Sequence, residues 1–308
     1  MARFMLHTSA AACIGLILAN LFWAGNAVIA RAVADNIPPF ALSFWRWALA
    51  LVIILPFGLP HILRNRELIR ANWPRILLMS VLSVGGYNTL LYLAAHTTSA
   101  INISLLHATI PVMIALMGWL LLRQNTTARQ LGGIGAALIG IVLIVSQGDW
   151  HRLAGLDLHI GDLIMFGAVV IWGIYSVLLR QHNDVLAPIH QLGFLTLTII
   201  GGLPPIAVLY AWEAATVEGF MPTAGTLPTL LSLAVFPGIF AYGLWNYGVA
   251  AIGPSRAGIF LYLMPLFAAV LATVFLDERL QGFHAAGGML ILVGVYLAIQ
   301  TKRRGSAS

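Results

Sequence analysis

Polar and aromatic side chains recur on single helical faces within otherwise apolar stretches of this chain. Asn20, Trp23 and Asn26 are spaced at i, i+3 and i+6, and Trp172 and Tyr175 at i and i+3, so each group lies on one side of a helix. Asparagine has no reason to face lipid, and we expect these faces to point into a helical bundle. The chemistry indicated is non-covalent binding of a small polar molecule in an aromatic-lined cavity. The alternative is interhelical packing and hydrogen bonding alone.

The same pattern in further stretches completes the set of candidate substrate-binding residues. The set is Asn20, Trp23, Asn26, Tyr87, Asn88, Tyr92, His107, Trp172, Tyr175, Tyr242, Trp245 and Asn246. We predict that Trp23, Trp172 and Trp245 line one central cavity near the middle of the membrane. His107 is a candidate proton carrier, since an imidazole titrates near neutral pH. Its alternative role is that of a neutral packing or substrate-contact residue.

The elements that must position these side chains are membrane spans. The 308 residues are 60% hydrophobic and 8% charged, whereas a soluble domain is about 25% charged, and the mean hydropathy is +0.92. A span needs about 20 apolar residues. Ten stretches satisfy this requirement: 10–31, 39–59, 74–96, 100–122, 129–147, 160–181, 187–212, 227–250, 256–276 and 283–300.

The two halves of the chain repeat each other. Trp23 recurs 149 positions later as Trp172, and beyond a five-residue insertion Pro111 recurs 154 positions later as Pro265. The same two offsets relate Arg31 to Arg180, Pro39 to Pro188, Pro56 to Pro205, Pro74 to Pro228, Gly133 to Gly287 and Gly140 to Gly294. Five spans per half is an odd number, so the second half enters the membrane inverted, as in secondary transporters.

The predicted fold is therefore an all-α integral membrane protein with ten transmembrane helices arranged as two inverted five-helix repeats. The repeats cover residues 1–147 and 160–300, joined by a periplasmic connection at 148–159 and followed by a cytoplasmic tail at 301–308. Glycine stripes in spans five and ten indicate close helix packing. Prolines inside spans free the carbonyl four residues earlier, so the pair Pro111 and Pro265 suggests matching hinges or gates.

Charged residues set the predicted orientation. Of the 16 Lys and Arg residues, twelve fall on the side of the N-terminus, which predicts cytoplasmic N- and C-termini. Arg46 alone lies inside a span; it would serve to bind a substrate carboxylate, but we expect it to snorkel or to bind carbonyls at a helix end. No Asp or Glu is assigned to a span interior, which argues against carboxylate-based ion coupling and favours uniport or weak proton dependence.

Sequence motifs in both halves resemble a known family. Spans one and six end with the similar segments LFWAGNAVIAR and VIWGIYSVLLR. Further along the chain, a T-S-A…L-L…P pattern is followed by D-E-R-L and G-x6-G. They are similar to the drug/metabolite transporter superfamily, in its ten-helix EamA-type branch, and most similar there to bacterial aromatic amino acid exporters (YddG-type). Asp277-Glu278-Arg279 keeps the acidic-Arg ending of span nine, whereas Leu122-Arg123-Gln124 departs from it at the end of span four.

The resemblance implies a multi-pass exporter in the bacterial inner membrane for amino acids or related metabolites. It implies that spans 1, 3, 4, 6, 8 and 9 surround the cavity and that spans 5 and 10 are peripheral. Export of drugs or other metabolites is the alternative within the superfamily. A lipid-modifying membrane enzyme would need a cluster of acids, bases or metal ligands, and a scaffold would need neither inward polar faces nor a repeat.

The candidate residues also predict the substrate. Rings bury apolar side chains, while amides and freed carbonyls hold an ammonium–carboxylate head group without a net charge. A neutral, zwitterionic amino acid with a large side chain fits best, with loose discrimination among such amino acids. We expect no cofactor, no metal and no nucleic-acid partner; the partners are the substrate and membrane lipids, and a monomer contains a complete pathway.

Overall fold

The computed structural model describes residues 2–33, 36–95, 97–98, 100–149, 151–154, 159–216, 219–275 and 282–299, and nearly all of them are helical. The long helical segments of these ranges are α1 (Ala2–Ala32), α2 (Pro39–Arg64), α3 (66–95), α4 (100–122), α5 (Ala128–Val145), α6 (Ile160–Gln181), α7 (Gln191–Thr216), α8 (Leu227–Ile252), α9 (254–275) and α10 (Gly282–Ile299). One-turn helices at His151–Ala154 and Asn183–Leu186 lie in connections.

Seven of the described helices are long and apolar enough to cross a membrane. They are α2, α4 from Asn102, α5, α6, α7, α8 and α9 as far as Leu271. Shorter apolar stretches occupy Ala10–Asn26 in α1 and Gly282–Ala298 in α10. Large apolar side chains such as Val52 and Phe57 are exposed on the outside of the bundle. The protein is thus an all-helical membrane protein.

Local sequence signals set several of the helix ends. Pro39 occupies the first turn of α2, where a missing N–H costs nothing. The α5 helix begins with a capping box, in which Thr127 Oγ1 accepts from Gln130 N and Gln130 Oε1 accepts from Thr127 N at 2.9 Å. Gly253, with φ of 86°, separates α8 from α9 in a conformation that favours glycine.

The predicted span 187–212 is displaced from the observed helix, because α7 covers Gln191–Thr216. At its end, Glu213 is buried rather than exposed. Its two carboxylate oxygens accept hydrogen bonds from Phe40 N at 3.1 Å and Ala41 N at 2.7 Å, at the start of α2. A carboxylate at a helix N-terminus is stabilised there, so Glu213 links the end of α7 to the start of α2.

Four helices carry irregular turns, and the turns recur in the two halves. The α3 helix contains a π-helical segment, Val81–Tyr87, and α8 contains another, Ala234–Phe240. The α4 helix is interrupted at Thr109, and α9 contains a 3₁₀ turn, Phe260–Tyr262. The 154-residue offset relates each pair to within about a turn, and π-helical segments often occur at functional sites.

Helix packing joins the two halves along their whole length. The α2 helix packs on α7, and α5 packs on α10; α1 contacts α8 and α9, while α6 contacts α3 and α4. In the α5–α10 pair, a Cβ atom added to Gly140 would lie 2.5 Å from Gly287 O, and one added to Gly294 would lie 2.5 Å from Gly133 O. The two backbones touch here, which only glycine permits.

The helix termini gather at two ends of the bundle. The helices α2, α4, α6 and α8 begin at one end of the bundle and end at the other. We call the end where they terminate the first end, and the end where they begin the second end. At the first end, the rings of His61 and His190 stack with centroids 4.4 Å apart. At the second end, Asp162 accepts hydrogen bonds from Thr98 Oγ1 and from Asn102 Nδ2, the latter at 3.1 Å. Asp162 is therefore a buried side chain that links α6 to α4 through hydrogen bonds, not an exposed acid.

Candidate functional site

Four aromatic rings from α1, α6 and α8 meet where the two halves join. We call Trp23, Trp172, Tyr242 and Trp245 the central aromatic cluster. The ring centroid of Trp23 lies 5.7 Å from that of Trp172, 5.8 Å from that of Tyr242 and 5.7 Å from that of Trp245. Trp172 lies 5.7 Å from Tyr242 and 5.6 Å from Trp245. Several pairs are edge-to-face, an arrangement that aromatic rings prefer.

The rings of the cluster pack directly against one another. Trp172, Tyr242 and Trp245 are at most 3% exposed. Trp23 Nε1 donates to the carbonyl of Pro237, at 3.3 Å, in the π-helical segment of α8. The residues predicted to line a cavity are thus brought together, but a ligand at this level has to displace rings in order to enter.

Several polar atoms buried around the cluster have no hydrogen-bond partner within the described part of the chain. They are the indole nitrogens of Trp47, Trp172 and Trp245 and the amide oxygen of Asn20. Asn20 Nδ2 is satisfied by Leu16 O in its own helix at 2.7 Å. An unsatisfied buried donor or acceptor costs about 1–3 kcal/mol. These four atoms therefore offer three donors and one acceptor to a polar ligand.

A hydrogen bond bounds the cluster on the side of the first end. Tyr175 Oη donates to Asn246 Oδ1 at 2.7 Å, and both side chains are buried. Beyond this bond lies a pocket of about 160 Å³, whose walls include Asn246, Ala250, Asn183 and Phe194. We call it the first-end pocket. The Tyr175–Asn246 bond stands between this pocket and the central aromatic cluster.

A buried charge bounds the cluster on the side of the second end. Arg46 is 1% exposed, its Nη1 donates to Asn26 Oδ1 at 3.1 Å, and its Cζ lies 4.9 Å from the ring centroid of Trp47. The Trp47 ring in turn lies 5.0 Å from that of Tyr242. The expectation that Arg46 snorkels is therefore wrong. The amide and the indole face hold the guanidinium inside the bundle.

Most of the other predicted residues also contact the cluster. Asn88 Nδ2 donates to Tyr242 Oη at 3.1 Å and so links α3 to α8. The ring of Tyr87 lies 4.9 Å from Trp172 and 6.5 Å from His107, which is half-buried at the edge of the group. The side chain of Tyr92 and the motif at 277–279 lie outside the described residues.

Sequence reasoning missed the contribution of α2. Ser43, Arg46, Trp47 and Ala50 are all buried and are spaced at i, i+3, i+4 and i+7, which defines one helical face. The same periodicity that pointed to α1, α6 and α8 was present here. It was overlooked because an arginine near a helix end was expected to reach the membrane surface.

The sequence profile of the EamA-like transporter family matches this chain twice, over residues 10–146 and 159–300. The chain belongs to the EamA-like transporter family. The two matched segments coincide with the two halves that the 149- and 154-residue offsets define. The family is membrane-embedded, in agreement with the apolar helices, and this EamA-like protein is a membrane transporter.

Relatives across nearly the full length are also named as transporters. An uncharacterized transporter of Archaeoglobus fulgidus is 31% identical, covering 92% of this chain and 95% of the relative. The uncharacterized transporter YyaM of Bacillus subtilis is 25% identical, covering 91% and 90%. A probable terminal-alkyne amino-acid exporter of Streptantibioticus cattleyicolor is 27% identical, covering 92% and 91%.

A solved crystal structure has the same fold. It superposes with a TM-score of 0.78 over 94% of this chain and 96% of the other chain, at 21% sequence identity.

Proposed function

We propose that this EamA-like transporter exports neutral amino acids with aromatic or other large side chains across the bacterial inner membrane. The observation that carries the proposal is the central aromatic cluster, whose indole N–H groups on Trp172 and Trp245 have no described partner. Rings accommodate a large apolar side chain, and polar atoms beside them accommodate its head group. The similarity to an amino-acid exporter over 92% of the chain supports the same substrate class.

We further propose that the protein crosses the membrane ten times as two inverted five-helix repeats. Exchanging the halves maps the most extensive helix contacts onto one another: α2–α7 and α5–α10 map onto themselves, and α1–α8 maps onto α6–α3. Trp23 contacts Trp172, and Asn88 contacts Tyr242. Each of these pairs joins equivalent positions, as residues on a two-fold axis must do.

This arrangement supports alternating access as the mechanism. The Tyr175–Asn246 bond closes the path from the first-end pocket to the cluster. Breaking it admits a substrate, which displaces the rings, and a corresponding opening at the second end releases it. Basic residues concentrate at the first end, where Arg64, Arg123 and Arg180 lie. This distribution supports a cytoplasmic first end.

Transport is proposed to be uniport or only weakly proton-dependent. Glu213 and Asp162, the acids buried at the second end, are engaged by backbone and side-chain donors of neighbouring helices. Their hydrogen bonds give them a structural role. His107 remains the candidate for any proton dependence, since its ring lies at the edge of the aromatic group.

Counterflow of labelled phenylalanine in proteoliposomes tests the function. We expect unlabelled phenylalanine, tryptophan and methionine to compete, and lysine and glutamate to compete poorly. An imposed pH gradient should change the rate only weakly, and His107→Gln should abolish any change. Strongest competition by lysine or glutamate would contradict the substrate class. An obligatory pH gradient that His107→Gln retains would contradict the mechanism.

A further inference from the structure

We propose that Asn26, Arg46 and Trp47 form a carboxylate-binding site, which we call the carboxylate corner, on the second-end side of the central aromatic cluster. The inference rests on the proposed function and adds the orientation of the substrate. The carboxylate of the amino acid points towards the second end, and its side chain lies among the rings.

The geometry of the corner places a positive charge beside the rings. Arg46 Nη1 donates to Asn26 Oδ1 at 3.1 Å, and the guanidinium carbon lies 4.9 Å from the centroid of the Trp47 ring. Arg46 and Trp47 are at most 1% exposed. The Trp47 ring touches Tyr242 at 5.0 Å, so the corner is continuous with the central aromatic cluster.

The donor set matches the acceptors of a carboxylate. A guanidinium presents five N–H donors in a planar fork that pairs with two carboxylate oxygens at once. The bond from Nη1 to the Asn26 amide fixes the plane of that fork. Trp47 Nε1 is a second donor in the same corner, and it is buried without a described partner. A carboxylate there accepts hydrogen bonds from both the indole N–H and the guanidinium, and such charge-assisted bonds are strong in a medium of low dielectric constant.

The depth of the corner fits a ligand in transit rather than an anchor at the membrane surface. Arg46 lies seven residues after the start of α2 at Pro39, or about 10 Å along the axis at 1.5 Å per residue. Asn26 lies six residues before the end of α1 at Ala32, about 9 Å from the same end. An ionisable side chain at such depth is retained for function when it faces the bundle interior.

The second half of the chain shows that helix packing does not require the charge. The position equivalent to Arg46 is Leu195, and the one equivalent to Trp47 is Thr196, each 149 residues later. Leu195 is as deeply buried in α7 as Arg46 is in α2. An apolar side chain therefore fills this place in the fold, and the arginine supplies binding chemistry on one side only.

Isothermal titration of the purified full-length protein with four ligands tests the proposal. L-Phenylalanine and 3-phenylpropionate carry the carboxylate, whereas L-phenylalaninamide and 2-phenylethylamine lack it. We expect Arg46→Gln to weaken the two carboxylates about ten-fold or more and to leave the other two within about two-fold. Trp47→Phe, which keeps a ring but removes the N–H, should weaken the carboxylates by about three- to ten-fold.

Two further variants keep the test independent of folding. Arg46→Lys retains the charge without the fork and should weaken carboxylates less than Arg46→Gln does. Arg180→Gln is the matched control: Arg180 is exposed at the first end, where its Nη1 donates to Ala250 O, and the ligand preference should not change. The thermal melting point of each variant shows whether it is folded.

Each remaining outcome bears on the carboxylate corner, on the proposed function or on both. Equal weakening of all four ligands by Arg46→Gln, or none, assigns Arg46 a structural role and overturns the carboxylate corner. Binding of amino acids without preference for the carboxylate overturns it as well, while the proposed function stands. Arg46-dependent binding of 3-phenylpropionate without transport of any amino acid supports the corner and overturns the function. A wild-type protein that binds none of the four ligands overturns both.

Discussion

The two halves of this transporter meet in two regions that differ in how closely equivalent residues match. In the α5–α10 pair, Gly133 and Gly140 face Gly294 and Gly287, and the 154-residue offset relates one contact to the other. In and around the central aromatic cluster, the equivalents of Trp245 and Arg46 are Leu91 and Leu195. The difference follows from what each region must do.

Contact between two backbones leaves no room for a side chain, so both halves need glycine at the same places. Binding a molecule that lacks two-fold symmetry demands different groups on its different sides. The halves accordingly place a guanidinium at one side of the cluster and the neutral Tyr175–Asn246 pair at the other. Equivalent residues are thus identical in the backbone contact of α5 and α10, whereas around the cluster Trp23 and Trp172 still match but Arg46 and Trp245 have no matching residue.

The largest effect is expected from removing the ring of Trp172 at the centre of the central aromatic cluster. Trp172→Ala deletes a side chain that contacts Trp23, Tyr242 and Trp245. It should destabilise the protein by about 3–5 kcal/mol and weaken phenylalanine binding at least ten-fold. Thermal melting and binding titrations measure the two effects. Trp119→Ala, at an exposed ring, is the control, and an equal loss in both variants would contradict the role of the cluster.

A substitution in the contact between α5 and α10 is expected to change the stability of the protein but not its substrate preference. Gly140→Ala brings a Cβ atom to 2.5 Å from Gly287 O, so the two helices must separate at a cost of about 1–3 kcal/mol. Gly135→Ala on the same helix meets nothing within 4 Å and should change the melting temperature little. The ranking of competitors in transport should stay the same in both variants. A changed ranking in Gly140→Ala would break the division between packing and binding regions.

A smaller effect is expected where the halves are tied at the second end. Glu213→Ala leaves the backbone N–H groups of Phe40 and Ala41 without their acceptor, which should cost about 1–2 kcal/mol. Glu67→Ala removes an exposed carboxylate in the first turn of α3 and should cost under about 0.5 kcal/mol. Chemical or thermal unfolding in detergent measures both. Equal unfolding midpoints for the two variants would show that the hydrogen bonds of Glu213 do not stabilise the protein.

The smallest expected change tests the neutral side of the cluster. Tyr175→Phe removes the hydrogen bond to Asn246, worth about 0.5–1.5 kcal/mol, and should favour opening towards the first-end pocket. In a Cys13→Ser background, Ala250→Cys introduces a thiol into that pocket. This thiol should react faster with a thiol reagent when Tyr175→Phe is also present than when it is not. Tyr296→Phe, at an exposed ring, should leave the rate unchanged. A slower reaction in Tyr175→Phe would contradict the proposed gate.

Much of the helical pattern was predictable, because each apolar run and its flanking signals are local. The predicted spans 39–59 and 129–147 begin within one residue of the observed starts of α2 and α5. The predicted span 187–212 stops one residue before Glu213, whose contact with the start of α2 depends on the packing of two distant segments. The ten-span inverted arrangement and the roles of the candidate binding residues stay predictions.

The sequence by itself determined that the chain is a helical membrane protein with two related halves, since composition and internal repeats need no partner to be recognised. It also indicated which faces of α1, α6 and α8 turn inward. Only the tertiary structure decided that the rings of the cluster fill their own space, that Tyr175 bonds Asn246, and that Arg46 is held inside against Asn26 and Trp47. Periodicity specifies the face of a helix, whereas contacts between helices far apart in the chain depend on how the whole bundle packs.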